Sequence, residues 1–151
     1  MALPEVSTFI LNHRVAALAV SSDPAPITAM TSYVPEDEHG SRVLIHLSNL
    51  SPHKKALLAN PTCSLLIAEP DDGRAEPMSL ARVSLQGTAI MLNKLSEDYA
   101  QAKARFLARF PGSAVMFDLP DFDLFRVTFT EGRFIGGFGR AFAFTADQLL
   151  A

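Results

Sequence analysis

The residues best equipped for chemistry are gathered in Ser48-Asn49-Leu50-Ser51-Pro52-His53-Lys54-Lys55. Ser51 suits a helix N-cap and Pro52 the first helical position. His53, Lys54 and Lys55 then fall in a first turn, where the macrodipole is already positive and each cation costs about 0.3–1 kcal/mol. A bound anion would reverse that sign. Free backbone N–H groups, a hydroxyl from Ser48 or Ser51, and Lys54 or Lys55 could together hold a phosphate. The same lysines could equally extend into water along their aliphatic stems. Spacing alone leaves both readings open.

Other polar positions invite weaker readings. Over residues 25–34 alternation puts Ile27, Ala29, Thr31 and Tyr33 on one side and Thr28, Met30, Ser32 and Val34 on the other. Recurrent small polar residues suit a strand along which a polar ligand lies, and equally an exposed strand face. Arg82 could address a phosphate or a ring carbonyl, or form a surface ion pair. Gly136, Gly137 and Gly139 surround Phe138, which implies an unusual backbone or a closely approaching ligand. His13 suits a helix C-terminus, and His39 lies in a solvated turn. Cys63 has no partner for an internal disulfide and reads as a buried thiol. HExxH, CxxC, Walker and first-strand GxGxxG patterns are all absent from the sequence.

These residues need elements to position them. A short helix is expected over residues 4–12, then strands over 14–21 and 25–34. A strand over 43–48 leads into the helix begun at Ser51, which Asn60-Pro61 stops. Strands follow over 62–69 and 81–92, with Gly87 marking a bulge or the close approach of another backbone or a ligand. Ser96, Glu97 and Asp98 open the best helix. Two further strands are expected to meet in a hairpin near Glu131-Gly132, and Thr145 to cap a last helical turn. Strands outnumber helices and mostly follow one another directly, which points to a mainly β, antiparallel barrel or curved sheet with flanking helices. The 151 residues fit one domain, residues 1–151. A net charge of −3 and pI near 5.7 argue against a nucleic-acid partner. With neither a signal-peptide pattern nor a membrane-length apolar run, a cytoplasmic location is expected.

HLSNLSPHKKALLANPTCSLLIAE, ARVSLQGTA and FRVTFTEGRFIGGFGRA, in that order, resemble the pyridoxamine 5′-phosphate oxidase-like FMN-binding split barrels, most closely their haem-utilisation (HugZ and HutZ type) branch. The resemblance covers roughly residues 5–145. It implies a six- to seven-stranded antiparallel split barrel, forming a homodimer with FMN at the interface and a small-molecule substrate. It places Thr28, Ala29, Met30, Thr31, Ser32 and Tyr33 beside the isoalloxazine, and Ser48, His53 and Lys54 at the FMN phosphate. Arg82 takes the place of a polar residue that addresses the flavin, and Arg126 and Gly137 lie where the C-terminal strands complete the site. Thr28 and Tyr33 stand where the oxidase branch has arginine and lysine, and its tryptophan has no counterpart. The resulting expectation is an FMN-dependent oxidoreductase or flavin reductase. The alternatives are a haem-binding or haem-degrading protein, with His46 or His53 as axial ligand, and a non-catalytic dimeric scaffold.

Overall fold

The computed structural model describes residues 3–137 and 139–151. Helix α1 (Leu3–Asn12) leads into β1 (Val15–Val20), β2 (Ile27–Ser32), β3 (Val34–Pro35) and β4 (Arg42–Ser48). After α2 (Pro52–Ala59) come β5 (Thr62–Ala68), β6 (Arg82–Met91), α3 (Glu97–Arg109), α4 (Ala114–Phe117), β7 (Phe122–Ile135), β8 (Ala141–Thr145) and α5 (Ala146–Leu150). All pairings are antiparallel, in the order β2-β1-β5-β6-β7-β4-β3, with β8 on β7. β2 and β3 are separated only by Tyr33, yet β2 pairs with β1 and β3 with β4. One stretch of chain therefore begins and ends the sheet, and the sheet curls into the expected split barrel.

Alternation fills the interior. Ala16, Leu18, Val20, Val43, Ile45, Leu47, Leu65, Ile67, Val83 and Leu85 point inward, joined by Val6 and Ile10 of α1, Leu57 of α2 and Leu149 of α5. Burial of the Val, Leu and Ile side chains among them stabilises by about 1.5–3 kcal/mol each. Outside, α3 covers only one flank. Its Tyr99, Ala102 and Phe106 pack on Val34, Leu44 and Leu124, from β3, β4 and β7. The outward residues of the opposite flank, across β2, β1, β5 and β6, remain exposed.

Two local expectations change. No turn forms at Glu131-Gly132, because β7 runs unbroken for 14 residues through that point. Its first half pairs with β4 and its second with β8, so tertiary pairing overrides a turn-like dipeptide. The reversal comes later, where Gly137 and Gly139 hold φ of +113° and +70° and Gly136 N–H bonds Arg140 O at 2.9 Å. Positive φ accounts for those two glycines without a ligand. Phe138, at the centre of that run, lies outside the described residues, as do Met1 and Ala2. The bulge expected at Gly87 is present, as a register shift between Gln86 and Gly87.

Candidate functional site

The α2 entrance, expected to anchor a phosphate, spends its lysine internally. Lys54 is 1 % exposed. Its Nζ donates to Asn49 Oδ1 at 2.6 Å, Asp121 O at 3.1 Å and Asp123 Oδ2 at 2.5 Å. An ammonium group has three donors, so all are engaged. Ser48 Oγ likewise donates to Asp121 Oδ2 at 2.9 Å, and Ser51 Oγ donates to Ser48 O instead of capping α2. The geometry that would grip a phosphate through Lys54 and Ser48 is therefore closed. Of the cluster, half-buried His53 and exposed Lys55 remain. Burial holds the His53 imidazole below its ordinary pKa, which keeps it neutral at pH 7.

The β2 residues separate by side. Thr28 and Met30 face outward, Met30 being 80 % exposed, whereas Thr31 is buried and bonds Ser32 O at 2.9 Å. Tyr33 is wholly buried where β2 gives way to β3, and its hydroxyl donates to Ile10 O at 2.6 Å. It therefore cannot lie beside a ligand, and burial raises its pKa further. Two grooves share this strand. One, of about 590 Å³, lies between the turn after β1 and α2, lined by Ser21, Ser22, Asp23, Ile27, Lys55 and Asn60, so that it holds one carboxylate beside one cation. The other, of about 420 Å³, lies on the outward face and is lined by Val15, Ala17, Thr28, Met30 and Leu66.

The two arginines lie elsewhere. Arg82 Nη1 donates to Met78 O and Leu80 O at 2.9 and 2.8 Å, fixing the loop before β6. Arg126 is clamped between Glu36 and Asp98 through four bonds of 2.6–2.8 Å, which raises its pKa. Gly137 shares a separate cavity of about 310 Å³ with Glu76, Met78 and Ser79. The structure thus does not bring Arg82, Arg126, Gly137 and the β2 residues into one site.

The histidines can be sorted as iron ligands. His13 Nδ1 lies 2.8 Å from Phe9 O, and its ring packs on Phe9. His39 sits 3.5 Å from Glu38. His46 points from the outer face of β4 under α3 and α4, stacked on Phe117 at 3.9 Å with Phe122 and Phe106 around it. Its Nε2 is buried without a partner. Burial, then the charge of Lys94, lowers its pKa to about 4, despite Asp123 acting the other way. Aromatic walls on that nitrogen leave no room for a metal-bound macrocycle, so the expectation of an axial His46 is not met by this geometry. His53 is half-buried at the start of α2, whose Pro52 and Lys55 line the larger groove while His53 itself does not.

With site and barrel in view, the chain belongs to the pyridoxamine 5′-phosphate oxidase family, whose model matches residues 2–136. Among relatives, HutZ of Vibrio cholerae, a haem oxygenase, is 29% identical over 150 residues, which is 97% of this chain and 83% of that protein. The chloroplastic haem oxygenase HOZ of Arabidopsis thaliana is 36% identical over 106 residues, covering 70% of this chain but 30% of its own length. A haem-binding protein from Mycobacterium smegmatis superposes with a TM-score of 0.86 at 24% identity, over 99% of this chain and 60% of the other. The chain thus spans under a third of the plant relative and about three-fifths of the mycobacterial one. These findings overturn the expectation of an FMN-dependent oxidoreductase. The named relatives are haem oxygenases and haem-binding proteins, and FMN is supported only by the family as a whole.

Proposed function

We propose that this chain binds haem as a substrate and belongs functionally with the haem-degrading members of its family. The observation that carries the reading is the likeness to a haem oxygenase along 97% of the chain. Lys54 agrees with it, since a cation committed to Asp123 cannot serve a flavin phosphate. The outward groove of Val15, Ala17, Met30 and Leu66 offers an apolar bed, and Lys55, beside Asp23 in the other groove, offers a cation for a propionate. His53 is the proposed iron ligand. A neutral imidazole is the form that binds iron, and burial maintains it. The outward flank of β2, β1, β5 and β6 is the proposed homodimer face, which would cover the outward groove with a second copy.

The test begins with haemin titrated into the purified chain and followed by visible absorption. A saturable haem band that weakens or changes ligand signature in His53→Ala is expected. Aerobic incubation with ascorbate as electron donor should then bleach the band and release iron that a chelator detects. A chain that retains no haemin ends the proposal. One that binds haemin but leaves it intact under reductant and oxygen restricts the function to binding.

A further inference from the structure

Helices α1 and α5 and the turn before β4 enclose a cavity of about 330 Å³ that shares no residue with the β2 grooves. Gly40, at φ +73°, lets that turn press on α1, since a Cβ there would stand 2.8 Å from Ile10 Cγ2. Asp37 Oδ1 accepts from His39 N–H at 2.9 Å and from Ser41 N–H at 3.1 Å, which fixes Glu38 and His39 at the cavity. The capping box of Thr145 and Gln148 holds α5, with Leu149 buried. Ser7 also lines the cavity, and it is only 8 % exposed. Thr8 Oγ1 donates to Pro4 O at 2.9 Å, whereas the Ser7 hydroxyl has no hydrogen-bond partner among the described residues. That oxygen is not sealed in, because His46 Nε2 is the only sealed, unpartnered side-chain atom among the described residues. It therefore opens on the cavity. A hydroxyl kept this deep without a partner costs the fold stability, and a ligand that bonds it removes the cost. The rest of the polar lining is rich in acceptors. Thr8 has already given its proton to Pro4 O, and Glu38 brings a carboxylate with His39 Nε2 3.5 Å from it. No lysine or arginine lines the cavity among the described residues, and Leu3, Leu11 and Leu149 supply aliphatic walls. Acceptors, a carboxylate and aliphatic carbon together suit an alkylammonium ion.

We propose that this cavity binds a small aliphatic primary amine. The ammonium head donates to Ser7 Oγ and pairs with the Glu38 carboxylate, and the carbon chain lies against Leu3, Leu11 and Leu149. The site is independent of the haem reading, because none of these residues lines the grooves assigned to haem.

The experiment adds n-hexylamine to the full, purified chain at neutral pH and follows amide chemical shifts, with hexanol as the uncharged control. Saturable shifts confined to α1, the 37–40 turn and α5 are expected with the amine, and binding at least about tenfold weaker with the alcohol. Ser7→Ala should weaken amine binding about tenfold, the scale of one bond to a charged group, while its thermal midpoint stays unchanged or rises. Glu38→Gln alters an exposed side chain and should fold normally, with amine binding weakened up to about fivefold. Absence of a saturable shift with hexylamine overturns the proposal, as does equal binding of amine and alcohol. Full amine affinity in both Ser7→Ala and Glu38→Gln overturns it too. A lowered thermal midpoint in Ser7→Ala would make the hydroxyl a structural group and remove the observation on which the site stands.

Discussion

His46 shows how one side chain can be read as chemistry and serve as structure. Its imidazole lies among Phe106, Phe117 and Phe122 with Nε2 buried and unpartnered. A protonated ring there would lack both water and a counter-charge in contact, so the neutral form is enforced and the pKa falls to about 4. The unfolded chain keeps the ordinary value near 6.5, so between those values it binds more protons than the folded one. Stability that His46 leaves intact above about pH 6.5 is therefore lost as pH falls toward 4. A tenfold change in a protonation equilibrium corresponds to about 1.36 kcal/mol. With a discount for the ring's partial contact with solvent, the expected loss is on the order of 2 kcal/mol. His46→Phe preserves an aromatic ring against Phe117 and removes the titration. Urea unfolding at pH 7 and pH 4.5 should show a smaller loss for the variant than for the wild type. Equal losses would mean that the His46 cage is open enough to admit water.

At the level of elements, the sheet depends on close backbone crossings as much as on apolar faces. Gly87 sits at the bulge of β6, where an added Cβ would press on Thr128 O and lie 2.9 Å from Thr128 C. The opposing atoms are backbone and cannot swing aside. Gly87→Ala should therefore cost about 1–3 kcal/mol, whereas Gly112→Ala, which meets nothing within 4 Å, should be near neutral. Urea midpoints of the two variants decide it, and similar values would contradict the crossing. Such elements were legible in the chain wherever their cause was local. Alternation marked the strands, and the caps at Ser96 and Thr145 form as their sequences require, the latter as a full capping box with Gln148. Gly87 carried its bulge in plain sight. Remote partners were not legible. Lys54 resembled an anion anchor because its carboxylate partner lies 69 residues away, and Tyr33 resembled a ligand-facing residue because its acceptor, Ile10 O, lies 23 residues back. Glu131-Gly132 has the composition of a turn, but β6 and β8 on its two sides keep it extended within β7.

For the whole molecule, the unequal dressing of the barrel is the basis of the proposed homodimer. Helix α3 seals β3, β4 and β7, while the flank of β2, β1, β5 and β6 has no helix over it. Register aligns Met30, Ala17, Leu66 and Ser84 in one row across that flank, and Thr28, Ala19, Ser64 and Gln86 in the next. Small residues alternate with exposed apolar ones such as Val15, Met30, Leu66 and Ile90, so the surface is smooth and partly apolar with few charges. Exposed apolar patches of that character are where protein chains associate. A two-fold axis through it would set the patch against itself, the usual arrangement of a homodimer. It would also bring a second copy over the outward groove. Leu66→Asp places a charge at the centre of the row without disturbing the interior, because Leu66 points outward. Sedimentation equilibrium should give a dimer for the wild type and a monomer for Leu66→Asp, with unchanged circular dichroism. Haemin affinity should fall with the dimer if the grooves are completed by the second copy. A monomeric wild type would remove the partner, and haem would then have to be held by the open grooves of a single barrel.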